Sequence, residues 1–171
     1  MSPVEFLTAC ITSLSSFLDE HLVNVKWQIA PDLPELVADP VQLGQAVRNV
    51  VMNAAQSMAN GGDLTIELNQ DPSDHFITMR FRDSGTGIAP DQQDSIFRPF
   101  VTTKPKGTGL GLPIVHKIVS MHGGRVEVEQ GTGEGACFVL SLPLTPPESS
   151  AEMSADSLPL ISAQTGRFPD N

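Results

Sequence analysis

Two runs in the middle of the chain, LTIELN (64–69) and FITMRFR (76–82), alternate apolar and polar side chains and are separated by little more than QDPSD. A period of two sends successive side chains to opposite faces of a strand. So short a connection, rich in turn-forming residues, reads as a hairpin. A second pair, RVEVEQ (125–130) and ACFVLSLP (136–143), flanks a glycine turn at 131–135. Hairpin partners are antiparallel. The chain is thereby committed to a mostly antiparallel sheet with an apolar face that other elements must cover.

The covering elements show the helical period. Phe6, Cys10, Leu14, Phe17 and Leu18, with Pro3 near the start, predict a helix over 3–20. VKWQIA (25–30) reads as a strand. After the proline-punctuated APDLPELVADP, Asp39 and Pro40 supply the N-cap and first residue of a helix whose Leu43, Val47, Val50, Ala54 and Met58 share one face, and Gly61–Gly62 should stop it. A possible short helix at 91–97 interrupts an otherwise irregular stretch from 83 to about 109. A last helix resumes near Leu110, tolerates Pro113 in its first turn and ends at HGG (122–124). Helices segregated from such strands give an α+β fold, a two-layer α/β sandwich with one mixed, mostly antiparallel sheet and helices packed on one face. At 171 residues the chain supports one domain, expected over 1–143, followed by a Pro/Ser-rich tail or linker over 144–171 that should be disordered. There is no internal repeat.

Charge narrows the function classes. A formal net charge of −10 argues against a general nucleic-acid binder. Yet Arg98, Lys104, Lys106, Lys117 and Arg125 lie in a stretch without any Asp or Glu, so an anionic ligand is expected there. No apolar run approaches a membrane span, and MSPVEFLTAC lacks the basic start of a signal peptide. Cys10 and Cys137 stand far apart with no CxxC partner, which fits two reduced thiols. These features make a cytoplasmic location without membrane contact the expectation.

Three features in and around the irregular stretch carry chemistry. Asn49 and Asn53 are one helical turn apart, within about 40° of each other and away from the apolar stripe, on a face shared with Gln45 and Gln56. Alone, the pair reads first as an exposed polar side. DSGTGIAP (83–90) follows a strand directly. Asp83 could accept a hydrogen bond from a ligand's exocyclic amine beside the bare backbone of Gly85 and Gly87, or simply cap a turn. KPKGTGLGLPIV (104–115) sets three glycines before a helix whose free amides, flanked by Lys104 and Lys106, make an anion site. No strand runs straight into these glycines and no GxxxxGK[ST] occurs, so neither a dinucleotide fold nor a P-loop fits.

The order of these boxes, N…N on a helix, DSGTG, IFRPF (96–100), TTK (102–104), GTGLGL (107–112) and HGG (122–124), resembles the catalytic and ATP-binding domain of bacterial sensor histidine kinases. That domain has a Bergerat-type fold and is shared with gyrase, mismatch-repair ATPases and heat-shock chaperones. The resemblance covers about 25–143 and, at Gln56, is closest to the nitrogen-regulatory branch. It implies ATP and Mg²⁺ as cofactors. Asn53 would offer its side-chain oxygen to the metal, and Asn49 would lie beside the phosphates in place of the catalytic glutamate of the ATPase relatives. Asp83 would accept from the adenine amino group, with Gly85, Gly87 and Ile88 against the base. Phe97 and Phe100 would anchor a mobile lid over about 97–110. Thr103, Lys104, Gly107, Thr108, Gly109, Leu110 and Gly111 would hold phosphate. Asn49 and Lys104 would be the catalytic residues.

The resemblance also implies partners. A phosphoacceptor histidine is followed by an acidic residue, and none of His21, His75, His116 and His122 is. The acceptor is therefore expected on a separate, histidine-bearing dimerisation domain, with a response regulator served indirectly, and this chain as a monomer that is either the cytoplasmic portion of a larger kinase or a stand-alone partner. An ATP-driven clamp like the chaperones, or a partner-binding module with a degenerate nucleotide site, are the alternatives.

Overall fold

A computed structural model describes residues 1–71, 75–93, 95–101, 109–130 and 135–145. Its elements are α1 (Pro3–Ser13), α2 (Ser15–Glu20), β1 (Val23–Ile29), α3 (Pro40–Ser57), β2 (Gly62–Asp71), β3 (Phe76–Asp83), a 3₁₀ turn (Pro90–Gln92), α4 (Gly111–Met121), β4 (Arg125–Gln130) and β5 (Ala136–Pro143). The strands form one sheet in the order β1-β2-β3-β5-β4. β1 and β2 are parallel, as a helical crossover through α3 requires. The other neighbours are antiparallel. The sheet is thus mixed and mostly antiparallel, as expected.

Alternation sorts the two faces. Leu64, Ile66 and Leu68 of β2, Ile77, Met79 and Phe81 of β3, and Phe138, Leu140 and Leu142 of β5 are buried toward the helices. They meet Leu7 and Ile11 of α1, Leu43, Val47, Val50 and Ala54 of α3, and Val115 and Val119 of α4, so the apolar stripe read from the sequence of α3 is the one that packs. The opposite face carries Arg80 and Arg82, paired with Glu129 at 2.7 Å and Glu67 at 3.5 Å. Cys137 lies buried among these four charged residues, and burial raises its thiol above the ordinary value. Both cysteines are free.

The helix expected over 3–20 is broken. Leu14 leaves helical geometry (φ −103°, ψ 3°), and the Ser13 hydroxyl donates to the Cys10 carbonyl at 2.7 Å, taking an acceptor from the helical ladder. The short helix expected at 91–97 is also corrected. Only Pro90–Gln92 form a 3₁₀ turn, and the Gln92 carbonyl then accepts from Ser95 N–H, Ser95 Oγ and Ile96 N–H, which closes a knot of turns instead of a helix. α3 stops at Ser57, ahead of the glycines, with Met58 as C-cap. Gly61, at φ +81°, reverses the chain, and Gly62 opens β2. Strand ends differ from expectation by a few residues, and Asp83 is still inside β3, opposite Leu64. Of the expected tail, 146–171 lies outside the described residues, as do the turn residues 131–134. Leu144 N–H bonds to the His75 carbonyl at 3.0 Å.

α3 and α4 are joined end to end. The C-cap of α4 is His122, whose Nε2 accepts the Asp39 backbone N–H at 3.0 Å while Nδ1 donates to the Ile118 carbonyl at 2.8 Å. With the end of α4 fixed beside the start of α3 and the helices packed together, they run in opposite directions. At about 1.5 Å rise per residue, the 11 residues of α4 bring its N-terminus level with the middle of α3, near Asn49 and Asn53.

Asp39 is the expected cap. Its Oδ1 accepts from Val41 N–H at 2.8 Å and Gln42 N–H at 3.1 Å. The bond from Gln42 N–H, then that from Val41 N–H, holds its carboxyl below the ordinary value of 3.8. A depressed carboxyl stabilises the fold above its unfolded pKa, and that contribution is lost as pH falls through the folded pKa. The stability difference between the wild type and Asp39→Ala, measured by urea unfolding, should therefore be constant from neutrality to about pH 5 and shrink below about pH 4.

Candidate functional site

Asp83 is a polar residue in the core, only 5% exposed. Its Oδ1 accepts from Gly85 N–H at 2.9 Å and from Ala136 N–H at 3.3 Å, and lies 3.2 Å from the Ser57 hydroxyl. Ser57 divides its one proton between this oxygen and the Ala54 carbonyl at 2.7 Å. The carboxylate plane is thus set by the bend after β3, the start of β5 and the end of α3, and none of these bonds uses Oδ2. A carboxylate so fixed can present its second oxygen to a ligand donor.

Backbone proximity shapes the bend. A side chain on Gly85 would collide with the Ser57 hydroxyl, with the Ser57 carbonyl at 2.7 Å and with Asp83 Oδ1 at 2.9 Å. Gly87 adopts φ +71°, which a Cβ makes costly. The two glycines therefore act as expected, one by close approach and the other by conformation. Gly135 was not expected here. A Cβ on it would strike the Asp83 carbonyl, so the backbone at Gly135, just before β5, is pressed onto the same strand end. Ser57 and Gly135 escaped the sequence reading, since one looked like a helix end and the other like one more turn glycine.

On α3, Asn49 and Asn53 are half-buried and not on an open polar side, whereas Gln45 and Gln56 are exposed. Among the described residues, one buried side-chain polar atom has no hydrogen-bond partner, the Nδ2 of Asn49. An orphaned donor costs about 1–3 kcal/mol, and an anionic acceptor would relieve it. Level with it, α4 starts from Leu110 with no side chain capping its free amides. Gly111 opens α4 with nothing within 4 Å of a Cβ. Ile88, Phe97 and Leu112 pack against the core, and the Phe97 ring lies tilted against that of His116 in α4, with their centres 6.0 Å apart.

Phe100 and Gly109 form a clasp. Phe100, 77% exposed at φ +66°, donates its N–H to the Gly109 carbonyl at 3.0 Å. Gly109, also at φ +66°, lies so close to the Phe100 backbone that a Cβ would approach it to 2.6 Å. Thr103, Lys104, Gly107 and Thr108, with Lys106, lie outside the described residues. The basic stretch does not converge as a whole. Arg125 opens β4, opposite Ser141 at the far end of the sheet, with its guanidinium 5.0 Å from the Phe76 ring centre. Among the described residues there is no group of three or more His, Cys, Asp or Glu that could hold a metal ion.

A family model described as histidine kinase-, DNA gyrase B- and HSP90-like ATPase matches residues 38–146. The chain belongs to this ATPase family. Among curated relatives, it is 40% identical over 122 residues to the sensor histidine kinase ZraS of Escherichia coli strain K12, a match covering 71% of this chain and 26% of ZraS. It is 35% identical over 126 residues to sporulation kinase E of Bacillus subtilis strain 168, covering 72% of this chain and 17% of that kinase. The chain thus spans less than a third of the relatives' length. Among solved structures, the nucleotide-free catalytic domain of the histidine kinase ThkA superposes with a TM-score of 0.76 at 26% identity, over 85% of this chain and 95% of that one. Full-length ShkA in complex with AMPPNP gives a TM-score of 0.76 at 28% identity, over 86% and 31% respectively.

The glycines of this family member should separate under one substitution. Gly85→Ala forces overpacking between Ser57 and Asp83 and should cost about 1–3 kcal/mol in urea unfolding. Gly111→Ala, in open space at the first turn of a helix, should be neutral or stabilising by up to about 1 kcal/mol.

Proposed function

We propose that this chain is the ATP-binding catalytic domain of a two-component sensor histidine kinase, and that it transfers the γ-phosphate of ATP to a histidine on a separate dimerisation domain. The observation that carries this reading is the unpartnered Nδ2 of Asn49, a buried donor level with the uncapped start of α4. These donors suit a polyphosphate better than any neutral ligand.

Each residue then has a task. Oδ2 of Asp83 accepts from the adenine amino group, while the close approach of Gly85 and the turn at Gly87 leave room for the base against the backbone and Ile88. Asn49 donates to a phosphate oxygen. Asn53 supplies its amide oxygen to Mg²⁺, a hard cation that keeps waters and takes few protein ligands. When bound, the metal would neutralise phosphate charge. Thr103, Lys104 and the amides of Gly107, Thr108, Gly109, Leu110 and Gly111 close over the phosphates, with Phe100 at the base of that lid. The residues 1–143 form the domain, and 144–171 a tail or linker.

Asn49 also decides what the site does slowly. An amide takes no proton at neutral pH, and losing a general base costs about 10²–10⁴ in rate. Water is therefore a poor acceptor here, whereas a neutral imidazole carries its own lone pair and needs little help. This speaks against a chaperone-like clamp driven by hydrolysis. The acceptor comes from the partner: none of the four histidines is followed by an acidic residue, and three of them have other work, since Nδ1 of His21 meets the Phe17 carbonyl at 2.9 Å, the His116 ring lies tilted against Phe97, and His122 ties α4 to α3. The response regulator is served through that partner. The expected setting is cytoplasmic, as a monomer without nucleic-acid or membrane contact; among the described residues no helix is long and apolar enough to cross a membrane.

Calorimetry with Mg-ATP and with Mg-free ADP tests the site. Asn53→Ala should weaken Mg-ATP about tenfold or more, while leaving Mg-free ADP within about twofold. Equal losses for both ligands would remove the metal role. Incubating the chain with candidate dimerisation domains and labelled ATP should yield acid-labile phosphohistidine on the partner, with little phosphate released when the partner is omitted. Rapid phosphate release without a partner would favour the clamp, and absence of any nucleotide heat would leave a degenerate binding module.

A further inference from the structure

The HGG turn ends α4 and takes no part in the site as described, yet its geometry reaches it. Gly123, at φ +72°, reverses the chain, and a Cβ on Gly124 would strike the Ser141 carbonyl and come within 2.9 Å of Leu142 and Val119. The turn is therefore pressed against β5, which fixes where the His122 ring can point. With Nδ1 bonded to the Ile118 carbonyl and Nε2 accepting from Asp39 N–H, one tautomer satisfies both bonds, protonated at Nδ1 and bare at Nε2.

The recipient of that bare nitrogen is unusual. Asp39 and Gln42 have the spacing of a capping box, in which the third helical side chain returns to the N–H of the cap residue. Here Gln42 Nε2 instead donates to Asp39 Oδ2 at 3.0 Å, so the cap's backbone N–H is left for the imidazole of another helix. His122 completes the capping box of α3 from the end of α4.

We infer that His122 is a positioning residue for phosphate binding: by hooking the end of α4 to the first turn of α3, it sets the depth at which the amides at the start of α4 stand beside Asn49 and Asn53. The inference rests on the proposed nucleotide site. α4 is short and its start has no side-chain cap, and beside the packing of Val115 and Val119 on the core the hook at its other end ties it to the first turn of α3 and so bears on its position along that helix. The adenine end of the site is built on β3, the bend after it and the end of α3, and does not depend on this hook. A slip of α4 should therefore weaken the grip on phosphate and spare the grip on adenosine.

Two substitutions split the two bonds of His122. The terminal oxygen of Gln lies as many bonds from Cα as Nε2 does, so His122→Gln keeps an acceptor for Asp39 N–H and loses the local bond to Ile118. The shorter Asn reaches as far as Nδ1, so His122→Asn keeps the local cap and loses the tie to α3. With the full chain, binding of Mg-ATP and of adenosine is measured for the wild type, both variants and His122→Ala, with urea midpoints recorded alongside. The expected result is that His122→Gln binds Mg-ATP within about twofold of wild type, His122→Asn and His122→Ala lose about tenfold, and adenosine binding is unchanged throughout. The reverse order, with Asn retaining affinity and Gln losing it, would reduce His122 to an ordinary helix cap and overturn the inference. Equal losses for Mg-ATP and adenosine, or no loss in any variant, would overturn it as well. If the wild type itself bound no Mg-ATP, the nucleotide site would fall first and the inference with it.

Discussion

One carboxylate oxygen holds the candidate site together. Oδ1 of Asp83 gathers N–H groups from the bend after β3 and the start of β5, and the hydroxyl of Ser57 at the end of α3. A buried carboxylate would be costly without such partners. The same junction explains the glycines around it. Gly85 lies against Ser57, and Gly135 against the Asp83 carbonyl, because three backbone segments converge where side chains would keep them apart. The site is thus founded on contact between backbones, with one ionisable group as the fastener.

Much of the frame was legible in the sequence because its signals are local. The stripe from Leu43 to Met58 fixed the buried face of α3, Asp39 and Pro40 marked its first turn, and the paired alternating runs declared two hairpins. Where a local signal competed with a subtler one, the reading failed. Cys10, Leu14 and Leu18 keep the helical spacing through the break at Leu14, so periodicity alone could not reveal that a hydroxyl had intercepted a carbonyl. At 91–97 the sequence left room for a short helix, but the Gln92 carbonyl collects its donors too tightly for one to propagate.

The site was legible in outline and opaque in its joints. Asp83, Gly85 and Gly87, which alone read as well as a capped turn, stood out because they fall in order with the other boxes of the resemblance. Ser57 and Gly135 did not, since their importance comes from segments far apart in sequence that meet only when the sheet is assembled. The basic stretch misled in part. Arg125 belongs by sequence with the lysines near the glycine loop, yet β4 carries it to the other end of the sheet, over Phe76. Charge read along a chain is not charge read across a surface.

The clasp between Phe100 and Gly109 has an implication for how such a domain can vary. The backbone bond fastens Phe100 to Gly109 however many residues the sequence sets between them, so the scaffold on either side is held independently of that number. Closing a loop twice as long costs only about 0.6 kcal/mol more. Insertions and deletions between these two residues should thus be nearly invisible to the stability of the sandwich, which leaves natural drift or deliberate grafting free to change the length of chain there.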